Sequence, residues 1–319
     1  MNIFQSIRRI TLFGGIAFSA CGWTQTWPAK PVRVIVPYAA GGVVDVLTRI
    51  VTNQISRELG QTLVVEPRPG AGANIAADLV AKAAPDGYTL MVSSPFLLTN
   101  PLLQNDLRWQ PKDFTPVVRY TLSPSFVLIN ALIPANTMRE YVAYAKARPG
   151  IAVAGGGGGS TQTMATYMLA QVAGFEMNLI EYNGAPPMIP PMMNGDISMG
   201  IIPSSVALSA MKSGKLKNIA NTSDKRSPLL PDVPTIAEAG YPEVTVVSWY
   251  GFHAPAGTAR DTIARIDAAT EKAARAEEVR TRTINAGGEI SYLGTGDFDK
   301  FLTEDLKRWQ GFAKVFKKP

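Results

Sequence analysis

Short runs of β-branched residues alternate with longer amphipathic segments in the first third of the chain. Residues 32–36 have the sequence VRVIV, and the segment after them repeats apolar side chains at helical spacing until Gly60. The same form returns as a strand at 63–66, a helix at 74–83 and a strand at 88–93. This alternation predicts an α/β fold in which helices cover both faces of a parallel sheet.

A second series of the same kind occupies the middle of the chain. Its predicted helices are 137–147, 161–173, 185–194 and 203–213. Its predicted strands are 151–154, 177–182 and 196–202, and LKNIANTS at 216–223 is a further predicted strand. The C-terminal part is mostly helical, at 259–276, 276–285 and 297–316. We therefore expect two α/β lobes, the first of which is completed by the C-terminal helices.

Two longer extended segments, 117–133 and 244–253, lie where the chain would cross between the lobes. We expect the first lobe to comprise residues 27–124 together with 251–319. The second lobe would comprise residues 125–250, with the return crossing somewhere within 222–250.

The N-terminal segment has the features of a secretory leader. Two arginines precede an apolar run at 10–20 that is too short to span a bilayer, and residues 1–22 contain no acid. Cleavage after Gly22 would leave small residues before the cut. Alternatively, Cys21 is the acylated residue of a lipoprotein, although Phe18 stands where such sequences normally carry leucine.

Charge and rare residues exclude several classes of function. The formal net charge is +6, and the two leader arginines account for two of these charges, which leaves +4 on a mature chain. Such a mild excess, without a basic block, does not indicate nucleic-acid binding. One histidine, His253, and one cysteine, in the leader, are too few for a metal cluster. We interpret His253 as structural; the alternative from another class is a secreted hydrolase that uses Ser160 or Ser94.

The most unusual stretch is VAGGGGGSTQT, at 153–163. A phosphate-binding P-loop needs a lysine after its last glycine, but Ser160 follows Gly159 here. A flexible linker is also a poor description, because apolar strand and helix patterns flank the glycines directly. The stretch therefore predicts a βα turn whose bare backbone can approach a ligand closely.

Turns rich in Gly, Ser and Thr follow several predicted strands, at the sheet edge where α/β proteins bind ligands. The helix N-termini behind such turns suit a carboxylate or a phosphate. The turns are 37–45, 93–100, 154–163, 182–186 and 202–205, and their candidate contacts include Ser93, Ser94, Thr163, Tyr182 and Ser204. Asp45 is the one acid in the first turn; it could contact a ligand, but we favour a role in securing its own loop.

Four segments together resemble the Bug-type solute receptors of tripartite tricarboxylate transporters. They are KPVRVIVPYAAGGVVDVLTR, VVEPRPGAGANIAADLVAKAAPDGYTL, LPDVPTIAEAGYP and WYGFHAPAGT. The resemblance extends from about Trp27 to the C-terminal helices. It implies a two-lobe periplasmic binding protein (type II, Venus-flytrap) that closes on a small organic acid. It also implies a monomer without catalysis, cofactor or metal, which docks on membrane permease subunits or, alternatively, acts only in signalling.

The resemblance further implies how the acid is held. In this family two loops bind a carboxylate through backbone and hydroxyl groups, partly through ordered waters. The first loop corresponds to Tyr38, Ala39, Ala40, Gly41, Gly42 and Asp45, and the second to Gly158, Gly159, Ser160 and Thr161. Neutral donors from two helix ends can hold an anion without a buried arginine.

The second lobe departs from the family pattern at several positions. Glycines stand at 155–156, where relatives usually have serine. Thr163 replaces a frequent histidine, Tyr167 a frequent glutamate and Ile201 a frequent aspartate. Asn183 replaces the lysine of a Tyr-Lys-Gly turn. We therefore expect a ligand with one anchored carboxylate and a less polar distal part, which can be aromatic.

Overall fold

The structure is a computed structural model that describes residues 27–157, 160–182 and 184–316. Outside the described residues lie the predicted leader with Cys21 and three loop residues, Gly158, Gly159 and Asn183. Within the described ranges, every helix is too short or too polar to cross a membrane.

Strands and helices alternate along the chain, as the apolar pattern predicts. The strands are β1 (Val32–Val36), β2 (Leu63–Pro67), β3 (Thr89–Ser93), β4 (Phe114–Ser123), β5 (Ser125–Asn130), β6 (Ile151–Gly155), β7 (Met177–Glu181), β8 (Met199–Pro203), β9 (Leu216–Asn221), β10 (Ser248–Pro255) and β11 (Glu289–Leu293). The α-helices are α1 (Val43–Leu59), α2 (Asn74–Ala81), α3 (Phe96–Leu103), α4 (Met138–Lys146), α5 (Thr161–Ala173), α6 (Ile189–Asn194), α7 (Ser204–Met211), α8 (Arg260–Arg275), α9 (Glu277–Asn285) and α10 (Thr295–Phe316).

The sheet of the first lobe has the strand order β11-β4-β10-β3-β1-β2. β1 runs parallel to β2 and β3, whereas β10 lies antiparallel between β3 and β4, and β11 is antiparallel to β4. The sheet is therefore mixed rather than purely parallel. The reason is that the chain leaves this sheet along β4 and returns to it along β10 in the opposite direction.

The sheet of the second lobe has the order β7-β6-β8-β5-β9. β6 is parallel to β7 and β8, and β5 is antiparallel to β8 and β9. Only Pro124 separates β4 from β5, so the extended segment expected at 117–133 is two strands that belong to different sheets. The fold is thus α/β with two sheets, as predicted; the lobe boundaries at 124/125 and 250/251 stay a prediction.

Helix ends follow from local sequence. α1 ends at Gly60, which has a left-handed φ of 68°. α4 begins with a capping box in which the Thr137 side chain accepts from the Glu140 N–H and the Glu140 carboxylate accepts from the Thr137 N–H. α5 begins at the cap residue Ser160, whose Oγ accepts from the Thr163 N–H at 3.2 Å. The last of these caps fixes the helix end that faces the other lobe.

Aromatic side chains of α10 pack against the crossing region. Trp249 of β10 meets the Phe298 ring edge-on at a centroid distance of 5.5 Å. The indole N–H groups of Trp249 and Trp309 both donate to the Asp305 carboxylate, at 2.9 and 3.1 Å. These rings share one buried apolar cluster with second-lobe residues such as Val127. The C-terminal helix therefore supports the segment that joins the two sheets.

Candidate functional site

Turns from both lobes border a cavity of about 180 Å³ between the two sheets, which we call the inner cavity. The turns after β1 and β3 form its first-lobe side, and the turns after β6, β7 and β8 form its second-lobe side. These are carboxyl ends of strands, where α/β sheets bind ligands. The described lining residues are Tyr38, Val43, Val44, Ser94, Pro95, Phe96, Gly156, Ser160, Thr161, Gln162, Gly184, Ala185, Met188, Pro203, Ser248 and Tyr250.

Two tyrosines, Tyr38 in the turn after β1 and Tyr250 in β10, line the inner cavity. The Tyr38 hydroxyl lies 2.7 Å from Ser94 Oγ, with which it shares a hydrogen bond. Burial raises the pKa of the Tyr38 phenol, and burial likewise raises the pKa of the Tyr250 phenol far above its ordinary value. Both phenols therefore keep their protons at neutral pH and can donate hydrogen bonds to an anion.

The N-terminus of α5 forms the opposing side. Ser160 caps the helix, donates through its hydroxyl to Thr163 Oγ1 at 3.0 Å, and Thr163 Oγ1 donates in turn to the Gly157 carbonyl at 3.0 Å. Thr161 and Gln162 occupy the first turn, where backbone N–H groups have no partner within the helix. The arrangement presents donors and the positive end of the helix dipole to the cavity.

The described lining of the inner cavity contains neither acidic nor basic side chains. An anion would therefore be held by neutral hydroxyl and amide donors, with help from the helix dipole, whereas a cation would meet no carboxylate. Apolar side chains such as Val44, Phe96 and Met188 make up much of the remaining wall. The site is suited to a small anion with an apolar portion.

Asp45 lies outside the inner cavity and secures its own loop. The side chain is 3% exposed, accepts a hydrogen bond from the Gly41 N–H at 2.9 Å and pairs with Arg49 at 3.0 Å. These contacts agree with the loop-securing interpretation that the sequence favours. They also explain how Gly41 can hold a φ of 75° in a defined position.

The predicted site residues divide into groups. Tyr38, Ser94, Ser160 and Thr161 line the inner cavity together. Ala39 and Ala40 are exposed at the turn, and Gly41 and Gly42 line a neighbouring cavity of about 490 Å³. Thr163 is buried beneath the cap of α5, and Tyr182 packs against the apolar cluster of the second lobe. Gly158 and Gly159 lie outside the described residues.

Ser93 and His253 form a buried pair away from the cavity. Ser93 Oγ donates to the Gly251 carbonyl at 3.1 Å and lies 2.6 Å from His253 Nδ1. Burial lowers the pKa of His253 to about 3, so the imidazole is neutral at physiological pH. Neither Ser94 nor Ser160 has this histidine as a hydrogen-bond partner, since they bond to Tyr38 and Thr163. The geometry therefore supports a structural role for His253.

Ser204 connects the lobes beside the cavity. Its hydroxyl donates to the Gly287 carbonyl, in the loop between α9 and β11, and its N–H donates to the Pro124 carbonyl at 3.1 Å. A Cβ atom on Gly287 would lie 2.6 Å from the Ser205 nitrogen, so the two loops are in direct contact. This residue acts between lobes rather than in the cavity lining.

Several lining residues were not predicted from the sequence. Gln162, Ser248 and Tyr250 are polar examples; Gln162 Nε2 donates to Ser125 Oγ at 3.1 Å. Ser248 and Tyr250 could have been predicted together from the extended segment at 244–253, because residues two apart on a strand face the same side. Phe96 and Met188 could not be found in this way, since nothing in their local pattern distinguishes them from core residues.

A larger cavity, of about 660 Å³, lies within the first lobe between α2 and the segment after α3. Neither the β1–α1 turn nor the β6–α5 turn borders it. In the part of the chain that the structure describes, no three His, Cys, Asp or Glu side chains are grouped as a metal site would require. The inner cavity is therefore the candidate site, because donors from both lobes meet there.

Two α/β sheets joined by two crossing segments, with a cavity between their strand ends, define the two-lobe class of solute-binding proteins. The chain belongs to the family described as "Tripartite tricarboxylate transporter family receptor", whose model matches residues 47–316. The Bug-type resemblance of the sequence is thereby confirmed.

Individual relatives agree with this assignment. The chain is 32% identical to protein BugT of Bordetella pertussis, over 98% of each chain. Its structure is similar to that of R. palustris Rpa4515 with adipate, with a TM-score of 0.83, 28% identity and coverage of 90% of this chain and 97% of the other. It is also similar to MatC from Rhodopseudomonas palustris with bound malate, with a TM-score of 0.80, 30% identity and coverage of 90% and 100%.

Proposed function

We propose that this chain is an exported receptor that captures a small organic carboxylate in the inner cavity and delivers it to a tripartite tricarboxylate-type permease. The observation that carries the proposal is the convergence of neutral donors from both lobes on one cavity. Family membership supports the receptor role, and two structural relatives contain adipate and malate. The protein acts by binding and release, without chemistry.

In this proposal the carboxylate bridges the lobes. One oxygen accepts from the Tyr38 or Ser94 hydroxyl, and the other accepts from first-turn N–H groups of α5 near Ser160 and Thr161, directly or through a water. Because the ligand contacts both lobes at once only when they are close together, it stabilises the closed form.

The ligand carries one anchored carboxylate and a less polar remainder. The basis is the described lining: the first carboxylate takes hydroxyl and N–H donors of Tyr38, Ser94 and α5, and apolar side chains such as Val44, Phe96 and Met188 make up much of the remaining wall. A second carboxylate buried among these groups would lose its hydration without a matched partner.

Cellular placement is proposed from the sequence and the family. Residues 1–22 direct export and are removed, with acylation of Cys21 as the alternative. The mature chain, with lobes at 27–124 plus 251–319 and at 125–250, works as a monomer in the periplasm. A receptor that serves only a sensor would share all these features, so co-purification with the permease subunits distinguishes transport from signalling.

A thermal-melt screen tests the ligand class. The purified chain is melted with monocarboxylates, dicarboxylates, tricarboxylates, acidic amino acids, amines and sugars at equal concentration. We expect stabilisation by carboxylates, since a ligand at about 100 times its Kd adds about 2.7 kcal/mol of stability. Stabilisation by sugars or amines alone would contradict the receptor proposal, and stabilisation by aspartate or citrate without any monocarboxylate would contradict the single-carboxylate ligand. Turnover of any compound would contradict a purely binding role.

A further inference from the structure

A second cavity, which we call the outer cavity, adjoins the inner cavity between the same two lobes. Its volume is about 490 Å³. Its first-lobe wall includes Val43 and Val46 of α1, and its second-lobe wall includes Ile189 of α6 and Val206 of α7. Val43 belongs to the linings of both cavities. The inner and outer cavities are therefore neighbours that share one lining residue.

Neighbouring residues of the second lobe also line different cavities. Met188 lines the inner cavity and Ile189 the outer one, and Ala185 and Pro186 are divided in the same way. A molecule that extends past Val43 would consequently stay between the same segments of the chain. The outer cavity continues the inner one along the gap between the lobes.

The outer cavity differs from the inner one in its polar groups, because its described lining lacks the tyrosines and the glutamine of the inner cavity. Its described lining has no acidic or basic side chain, and its polar side chains are the hydroxyls of Ser205 and Ser209. Val46 is 37% exposed and Ile189 is half-buried, so apolar surface stays uncovered there. Apolar surface of this kind gains free energy when a hydrocarbon group covers it.

The volumes of the two cavities also favour a ligand that occupies both. The inner cavity is smaller than the roughly 300–1,000 Å³ typical of ligand pockets, and the addition of the outer cavity brings the total into that range. We infer that the outer cavity binds the apolar distal part of a long or aryl-substituted carboxylate, which passes Val43 to reach it. This inference rests on the proposed function, because the carboxylate must first be anchored in the inner cavity.

The test uses butanoate, hexanoate and octanoate as probes and isothermal titration calorimetry as the measurement. For the wild-type chain, Kd should fall by about fourfold for each methylene that enters the outer cavity. Val46→Phe should remove this dependence on chain length while butanoate affinity stays within about threefold of wild type, because Val46 lines the outer cavity and not the inner one. Val172→Phe is the matched control, since Val172 is 45% exposed on α5 and lines neither cavity; it should keep the chain-length dependence.

Different outcomes overturn different claims. If butanoate binds but octanoate binds no more tightly in the wild type, the outer cavity does not hold the distal part and the receptor proposal stands. If Val46→Phe keeps the full dependence on chain length, the distal part of the ligand does not lie against the α1 wall of the outer cavity. If octanamide binds as tightly as octanoate, the carboxylate anchor itself is contradicted.

Discussion

The Tyr38 hydroxyl offers the sharpest single-atom test of the candidate site. Tyr38→Phe removes one oxygen, leaves the ring in place and deprives Ser94 Oγ of the partner that lies 2.7 Å away. A hydrogen bond to a charged group contributes about 1.5–3 kcal/mol. The variant should therefore bind its best carboxylate about 10- to 150-fold more weakly than wild type, measured by titration calorimetry.

Tyr120→Phe is the matched control. The Tyr120 hydroxyl lies 2.8 Å from Thr48 Oγ1, both residues are buried in the first lobe, and neither lines the inner cavity. This variant should lose about 1 kcal/mol of stability in urea unfolding but keep its ligand affinity. An unchanged Kd in Tyr38→Phe would refute the assignment of this hydroxyl to the ligand. Equal losses of affinity in both variants would show that the effect comes from general destabilisation.

Three further predictions test the second lobe, the contact between lobes and the buried histidine. Gly156→Val places a Cβ atom 3.3 Å from Ser160 Oγ and fills much of the inner cavity. Calorimetry should therefore show a loss of affinity of at least tenfold, with little change in the melting of the ligand-free chain. Retained affinity would contradict the assignment of the inner cavity as the binding site. Gly287→Ala forces a Cβ atom to 2.6 Å from the Ser205 nitrogen, at a backbone φ of 77°. The variant should bind its ligand more weakly and have a larger radius of gyration in X-ray scattering. No change in either quantity would show that the contact between the Gly287 and Ser205 loops is unnecessary for closure of the lobes. His253 has a folded pKa of about 3 against an ordinary 6.5, so the stability that depends on its neutral form is present above pH 6.5 and is lost as the pH falls toward 3. Urea unfolding at pH 7.5 and pH 5 should give a decrease of about 2 kcal/mol from this residue, which His253→Asn abolishes; an identical decrease in the variant would contradict a buried neutral imidazole.

Much of the fold could be predicted because its signals are local. The β-branched run of β1, the helical spacing of α1 and the glycine that ends it each depend only on neighbouring residues. Two elements, α3 and β11, were not predicted. α3 begins within the stretch expected to be a turn at 93–100; it is buried along 96–100, polar residues included, and contains Pro101, so it lacks an amphipathic pattern. β11 is a five-residue strand that is defined by its pairing with β4, which is distant in sequence.

The candidate site was predictable to the level of turns but not of all side chains. The turns after β1 and β6 were predicted and border one cavity, because strand ends in an α/β sheet face the same edge. Which side chains in a turn face that edge depends on turn conformation: Tyr38 lines the cavity, whereas Ala39 and Ala40 are exposed and Asp45 bonds to its own loop. Tyr250 reaches the cavity only through the pairing of β10 with β3 and β4, which no local pattern contains.

A crystal structure of the chain with the tightest-binding acid from the melt screen would show directly where the ligand binds. We expect the carboxylate in the inner cavity, with its oxygens about 2.7–3.2 Å from the Tyr38 or Ser94 hydroxyl and from first-turn N–H groups of α5, or joined to them by one water. A carboxylate that faces solvent, or an acid bound outside the inner cavity, would contradict this expectation.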